Sequence, residues 1–255
     1  MHPILTETVP EIEKLPGGNR FNSKLNLSTN QPTVSFKADG IILIDNLLSE
    51  IDVQHLVNLF DSFDNKTVVS ALGQKEIYIK KYKGSERISL WAPELSDELY
   101  VLSRDLLTIR ELNDYSRTDW WQFNGTKKWK PIGLSPLLRF MSYSKGTVHL
   151  PHYDAAYFYP DKKYRSLMSV IIYLSTHESQ SATRLLDDGQ DYIPECERKH
   201  IDYHEIADQQ TVKNKFYPKA GSVLLFDHRF LHDTEIHLEE KKRILIRTDL
   251  IFENI

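Results

Sequence analysis

Apolar and polar positions divide the chain into two halves. From about residue 130 onward, strand-like runs appear at 137–143, 166–174, 183–186, 212–217, 222–227 and 243–252, separated by polar loops. Six or more short strands with no long helix between them predict a β-sandwich or barrel. The first half reads differently. Ile41 to Ile44 form an apolar run with the look of a buried strand. Ser49 follows in N-cap position with Asp52 three residues on, and Val53, Leu56, Val57, Phe60 and Phe63 recur at helical spacing, predicting a helix over 50–63. A second helix is expected from Ser96 onward, with Leu99, Leu102, Leu106 and Ile109 on one face. Both read as supports for a sheet, so the expected fold class is mostly β with supporting helices (α+β). Residues 1–33 are polar, contain Gly17-Gly18 and keep no period, and read as an N-terminal extension. Residues 34–255 are then a single domain, with helical support over about 34–130 and a β core over about 131–255. The polar stretch 187–210 is long for a connection in a compact domain, as lids and binding loops are.

Composition narrows the classes. A chain of 255 residues can bury a sizeable core without a disulfide or structural metal. Its one cysteine, Cys196, excludes an intramolecular disulfide and a cysteine-based zinc cluster, and fits a reducing compartment. The N-terminal MHPILTETVPEIEK lacks a basic segment followed by an apolar one, and no stretch approaches the roughly 18 apolar residues of a membrane span. A cytoplasmic protein with no membrane partner is expected. A net charge of −4 with evenly mixed signs argues against nucleic acid as a partner. The densest basic cluster, Lys80-Lys81-Tyr82-Lys83, is short and reads as solvated.

Candidate chemistry begins at His152-Tyr153-Asp154. In a strand, positions i and i+2 share a face, so imidazole and carboxylate can converge on one ion. Two histidines and one carboxylate on one side of iron(II) leave three positions open. H-x-D alone carries no weight, because 10 histidines produce about one by chance at average residue usage. A second copy, His200-Ile201-Asp202, lies in the long polar stretch among Glu197, Arg198 and Lys199 and reads as a solvated pair. The first copy differs in context, since strand-like runs flank it on both sides. A later strand, Gly221 to Asp227, delivers two further histidines, His228 and His232.

With these residues in place, the segments GLSPLLRFMSYSKGTVHLPHYDAAY, RSLMSVIIYLS, SATRLL, GSVLLFDHRFLHD and RILIRTDLIF resemble the prolyl-4-hydroxylase-like branch of the 2-oxoglutarate/iron(II) dioxygenase superfamily. The resemblance covers about residues 133–255. It implies a double-stranded β-helix core of the jelly-roll or cupin kind. It also implies Fe(II) held by His152, Asp154 and His232, with 2-oxoglutarate and O2 as cosubstrates and ascorbate as a reductant. The family's distal ligand precedes a basic residue by about ten positions, which favours His232 over His228, since Arg243 lies eleven further on. Oxidative decarboxylation of 2-oxoglutarate is then coupled to C–H hydroxylation. Related halogenases replace the carboxylate ligand with a small residue, so the retained Asp154 points away from halogenation.

Electrostatics call for one further group. Iron(II), Asp154 and a 2-oxoglutarate dianion together leave one negative charge, and an unpaired charge in a buried pocket is costly. Arginine meets a carboxylate bidentately and stays protonated. Arg243 and Arg247 share one face of the last strand, and the resemblance aligns the 2-oxoglutarate partner with Arg243. Arg247 is left to contact substrate, to pair with Asp249 or to hold 2-oxoglutarate in place of Arg243. Tyr143 resembles a tyrosine that hydrogen-bonds 2-oxoglutarate in relatives, and Thr234 is expected to line the same pocket. Arg165 and Arg184 flank strands and read as surface charges before substrate contacts, and Trp120-Trp121 as core before a cover over the site. Ser181-Ala182-Thr183 departs from the Gly-Gly-Glu-Thr of relatives.

The substrate stays open between a peptidyl residue of prolyl type and a free amino acid or small metabolite. Two other classes compete: a non-catalytic β-barrel binding module, and a cupin-type metal-dependent hydrolase or isomerase, for which His149 is the one nearby extra ligand.

Overall fold

A computed structural model of the chain describes residues 13–14, 25, 31–38, 40–69, 81–107, 115–118, 126–157, 159, 163–190 and 204–255. Strands β1 (Glu13–Lys14), β2 (Thr33–Ala38) and β3 (Ile41–Asp45) precede helix α1 (Glu50–Asp61). Strands β4 (Thr67–Val68) and β5 (Glu86–Trp91) lead into α2 (Pro93–Leu107), followed by β6 (Tyr115–Thr118), β7 (Thr126–Leu134) and β8 (Leu137–Tyr143). The remainder is β9 (His149–His152), β10 (Tyr164–Tyr173), β11 (Thr183–Leu186), β12 (Val212–Phe216), β13 (Val223–Asp227), β14 (His232–Thr234) and β15 (Arg243–Asn254).

These strands form two sheets. The larger runs β1-β5-β8-β15-β10-β13-β3-β2, with β4 on β5, β7 on the far half of β15 and β6 on β7. The smaller runs β12-β11-β14-β9. Strand alternation gives the larger sheet two distinct faces. On its outer face Ile88, Phe140, Ile172, Leu225 and Ile246 pack with the helices. On its inner face Met141, Ile171, Leu224 and Leu245 meet Leu185 and Phe216 of the smaller sheet. Two antiparallel sheets closing on a shared interior are a jelly-roll core, and helices cover one side of it. β10, sandwiched between β15 and β13, is buried at every position, which accounts for its near-continuous apolar run.

α1 starts where its cap does. The Ser49 hydroxyl accepts from the Asp52 amide, and the Asp52 carboxylate accepts from the Ser49 amide in return. Its buried Leu56 and Phe60 face the sheet, with Phe60 stacked on Phe140 at 6.1 Å between ring centroids. α2 begins three residues before the expected Ser96. Proline at a first helical position loses no hydrogen bond, and its fixed φ suits the helix. At the turn into β13, Gly221 takes φ +82°, its carbonyl accepts from Leu48 N at 3.1 Å, and a Cβ there would stand 2.5 Å from the Leu48 carbonyl oxygen. Only glycine fits where the α1 entrance is tied to the sheet.

Region 34–130, expected as a strand with helices, also supplies β5 and β7 to the larger sheet. β7 alternates exposed Lys128 and Lys130 with fully buried Trp129, too little apolar signal to read as a strand. Among the described residues, no helix is long and apolar enough to cross a membrane.

Candidate metal centre

β9 and β14 are adjacent in the smaller sheet, and their register sets His152 directly opposite His232. The two rings lie 4.2 Å apart between centroids. Each is oriented in the same way, its Nδ1 bonding the carbonyl oxygen two residues back: His152 to Leu150 O at 2.7 Å, His232 to Phe230 O at 3.1 Å. A carbonyl only accepts, so Nδ1 carries the proton and Nε2 keeps its lone pair. Both Nε2 atoms turn toward Asp154, at 3.9 Å from His152 and 3.5 Å from His232. Ligand atoms of these three side chains all lie within 4.8 Å of one another.

Asp154 reaches this position from beyond the end of β9, so strand alternation does not place it. Two side chains of the larger sheet do. The Ser169 hydroxyl donates to Asp154 Oδ2, and Arg247 Nη2 lies 3.0 Å from Oδ1. Burial pushes the Asp154 carboxyl up, but Arg247, then His232 and His152, outweigh it and hold the group well below the ordinary carboxylate range. Burial, followed by His152, pushes the His232 imidazole down to about 3. A neutral imidazole beside an ionised carboxylate is the protonation pattern a divalent cation requires, and the hydrogen bonds behind each ligand fix its aim. The donor set fits such an ion.

The interior behind this cluster holds a second charged group. Arg243 begins β15 opposite Tyr143 and is fully buried. Its Nη2 donates to Thr183 Oγ1 at 2.9 Å, a hydroxyl that also accepts from Tyr173 at 2.8 Å. The guanidinium lies 5.0 Å from the Tyr143 ring centre and 5.9 Å from that of Tyr173. Its Nε and Nη1 are buried with no hydrogen-bond partner. A buried cation with two idle donors and no carboxylate beside it, among the described residues, is a cradle for an anion.

Arg247 is occupied otherwise. Besides Asp154 it pairs with Asp249 at 3.0 Å, and Asp249 in turn meets His228 Nε2 at 3.1 Å. His228 therefore stands apart from the His152–Asp154–His232 group. Tyr143 is buried, its hydroxyl 3.9 Å from Met141 Sδ, and burial first of all raises its pKa. Thr234 Oγ1 accepts from His149 N at 2.8 Å. His149 stacks on His152 at 4.0 Å, yet its nitrogens are outside the three-ligand group.

Two readings need correction. Arg184 and Arg165, expected at the surface, are each 1% exposed. Arg184 lies opposite Asp233 across the β11–β14 ladder and pairs with it bidentately, Nε to Oδ1 at 2.7 Å; this partner offsets the burial of its charge. Arg165 lies over the Trp129 ring at 5.9 Å. Sequence reasoning does not single out Ser169, Thr183 or Arg139. For Arg139 and Ser169 the one sequence signal is a polar residue at alternate strand positions with Tyr143 and Tyr173 inside apolar runs; Thr183 carries none. His200, Asp202, Cys196, Trp120 and Trp121, and most of the proposed lid, lie outside the described residues.

No family model matches the sequence, and no curated protein does. Among solved structures, the chain is similar to SnoK, a non-heme alpha-ketoglutarate-dependent carbocyclase from nogalamycin biosynthesis, with a TM-score of 0.57 at 13% identity over 88% of this chain and 87% of that one. It is similar to HygX from Streptomyces hygroscopicus, solved with nickel and 2-oxoglutarate bound, with a TM-score of 0.52 at 15% identity over 84% and 82%. A Pseudomonas putida prolyl-4-hydroxylase gives 0.48 at 14% identity over 83% and 92%, too loose a likeness to argue from. The fold of this chain is the one that SnoK and HygX share.

Proposed function

We propose that the chain is an iron(II)- and 2-oxoglutarate-dependent oxygenase that oxidises a C–H bond, with hydroxylation the expected outcome. His152, Asp154 and His232 hold the metal, and Arg243 receives the distal carboxylate of 2-oxoglutarate. The observation that carries this reading is the combination of three converging ligands with a buried, acid-free guanidinium on the same interior. When bound, iron(II) and 2-oxoglutarate supply the oxidative chemistry: one atom of dioxygen enters the substrate C–H bond and the other enters succinate as carbon dioxide is lost.

The side chains have separable tasks. His152 and His232 present Nε2 lone pairs, each ring locked by its own backbone carbonyl. Asp154 offers a carboxylate held by Ser169 on one oxygen and Arg247 on the other. Arg243 neutralises the charge left by the metal, Asp154 and a dianion, and Thr183 orients its guanidinium. Tyr143 and Tyr173 wall this recess and keep water from the ion pair. Arg247, already shared between Asp154 and Asp249, is a positioning residue for the ligand carboxylate.

An anaerobic titration of the ferrous protein with 2-oxoglutarate, followed by succinate measurement in air, tests this. Saturable 2-oxoglutarate binding that depends on iron, with succinate formed, is expected. Metal binding with no affinity for 2-oxoglutarate overturns the reading and points to the hydrolase class. Absence of both points to a binding module.

A further inference from the structure

The oxygenase reading leaves the substrate open, and the region next to Asp154 narrows it. A cavity of 260 Å³ opens there, bounded by Trp91, Leu137, Arg139, Tyr157, Tyr159 and Asp249. Its lining includes Ala155 and Ala156, the two residues that follow Asp154. The size lies under the roughly 300 Å³ at which pockets for drug-sized ligands begin, a volume that a small molecule fills. Tyr157 and Tyr159 meet edge to face at 4.9 Å and form an apolar wall.

The charges at this cavity do not balance. Iron, Asp154, 2-oxoglutarate and Arg243 together are neutral, and Arg247 and Asp249 neutralise each other. Arg139 remains. Its Nη1 is buried with no hydrogen-bond partner, and Asp249 Oδ2 stands 3.6 Å away, beyond a good hydrogen bond. Asp249 is already engaged by Arg247 and His228. Burial, then the neighbouring Arg247, pushes the Arg139 guanidinium down to about 10. This cation lines the cavity with a buried donor that has no hydrogen-bond partner.

We infer that the substrate is a small molecule carrying a carboxylate, which Arg139 receives while the aromatic wall holds the apolar remainder and directs a C–H bond toward the metal. This rests on the oxygenase reading and names the substrate class of that site. It selects small acids, free amino acids among them, over a peptidyl residue. A planar two-oxygen anion matches the guanidinium fork.

The test uses full-length protein loaded with ferrous iron, after 2-oxoglutarate binding has been measured. Failure at that first step sinks the oxygenase reading, independently of this proposal. Succinate release above the uncoupled rate is then compared across free amino acids and other small carboxylic acids, their primary amides, and proline-containing peptides with blocked termini. Acids are expected to raise release, and their amides are not. Arg139→Gln should raise KM for an active acid at least tenfold, with Arg139→Lys recovering part of the loss. Should Arg139→Gln fold poorly, Ala156→Phe fills the cavity and is expected to raise the same KM. Stimulation by amides or blocked peptides equal to that by acids overturns the proposal. So does a panel in which no acid stimulates, or an unchanged KM in every folded variant.

Discussion

Arg243 and Arg247 stand four residues apart on the same face of β15, and the protein treats them in opposite ways. Arg247 is paired through Nη2 with Asp154 and Asp249 at 3.0 Å each, and leaves only Nε among its donors buried without a partner. Arg243 is enclosed by tyrosine rings and a threonine hydroxyl, and two of its donors are idle. One guanidinium is spent on internal architecture and the other is held in reserve for something that arrives. Residue type and strand periodicity do not separate them. The company each keeps does.

The sharpest way to break this contrast is at the proposed metal ligands. His232→Ala or Asp154→Ala should abolish iron-dependent succinate formation, with ferrous binding by calorimetry falling to background. Retained turnover in either variant removes the basis of the site. Next in size, the two arginines should part ways when each is replaced by methionine. Arg247→Met leaves buried Asp249 and half-buried Asp154 short of a partner and should cost about 3–5 kcal/mol of stability. Arg243→Met removes an unsatisfied buried cation, so the protein without 2-oxoglutarate should gain about 1–3 kcal/mol, while 2-oxoglutarate affinity collapses. Denaturant unfolding with and without the cosubstrate reads both effects. Equal losses of stability would erase the distinction.

Smaller effects test the supports. Ser169→Ala should weaken metal binding by about 10–100-fold, the usual consequence of losing a hydrogen bond behind a ligand. Thr183→Val should instead weaken 2-oxoglutarate binding by about 1 kcal/mol, leaving metal affinity alone. Of similar size is a pH effect on the metal-free protein. The His232 imidazole has a folded value of about 3 against an ordinary 6.5, so below pH 6.5 the unfolded chain takes up a proton that the folded chain refuses. The stabilisation is complete above 6.5 and declines as pH falls toward 3. At pH 5.5 the loss from this residue is about 1.4 kcal/mol, and His149, also pushed well below 6.5, mainly by burial, adds in the same direction. His232→Asn should flatten the slope of stability against pH in chelator-treated protein.

What the sequence reveals of this arrangement follows from how local each feature is. The Ser49–Asp52 cap and the runs at 137–143 and 183–186 depend on neighbours a few residues away, and these elements fall where periodicity places them. β9 and β14, with four and three residues, are too short to show a period. The proximity of His152, Asp154 and His232 is therefore legible only through resemblance. The burial of Arg184 depends on Asp233 across a ladder whose register no local pattern encodes. Ser169 and Thr183 stay hidden for the same reason, since each acts through a residue more than ten positions away.

The facing of His152 and His232 across the β9–β14 ladder has a mechanical consequence. β9 is the outermost strand of its sheet, and strands so brief hold together weakly on their own amides. An ion gripped by both rings rivets that margin shut. Stripping it with a chelator should speed amide hydrogen exchange in these two strands while the twelve-residue β15 stays protected. Loss of the ion would then be felt as a fraying rim on a barrel that otherwise keeps its shape.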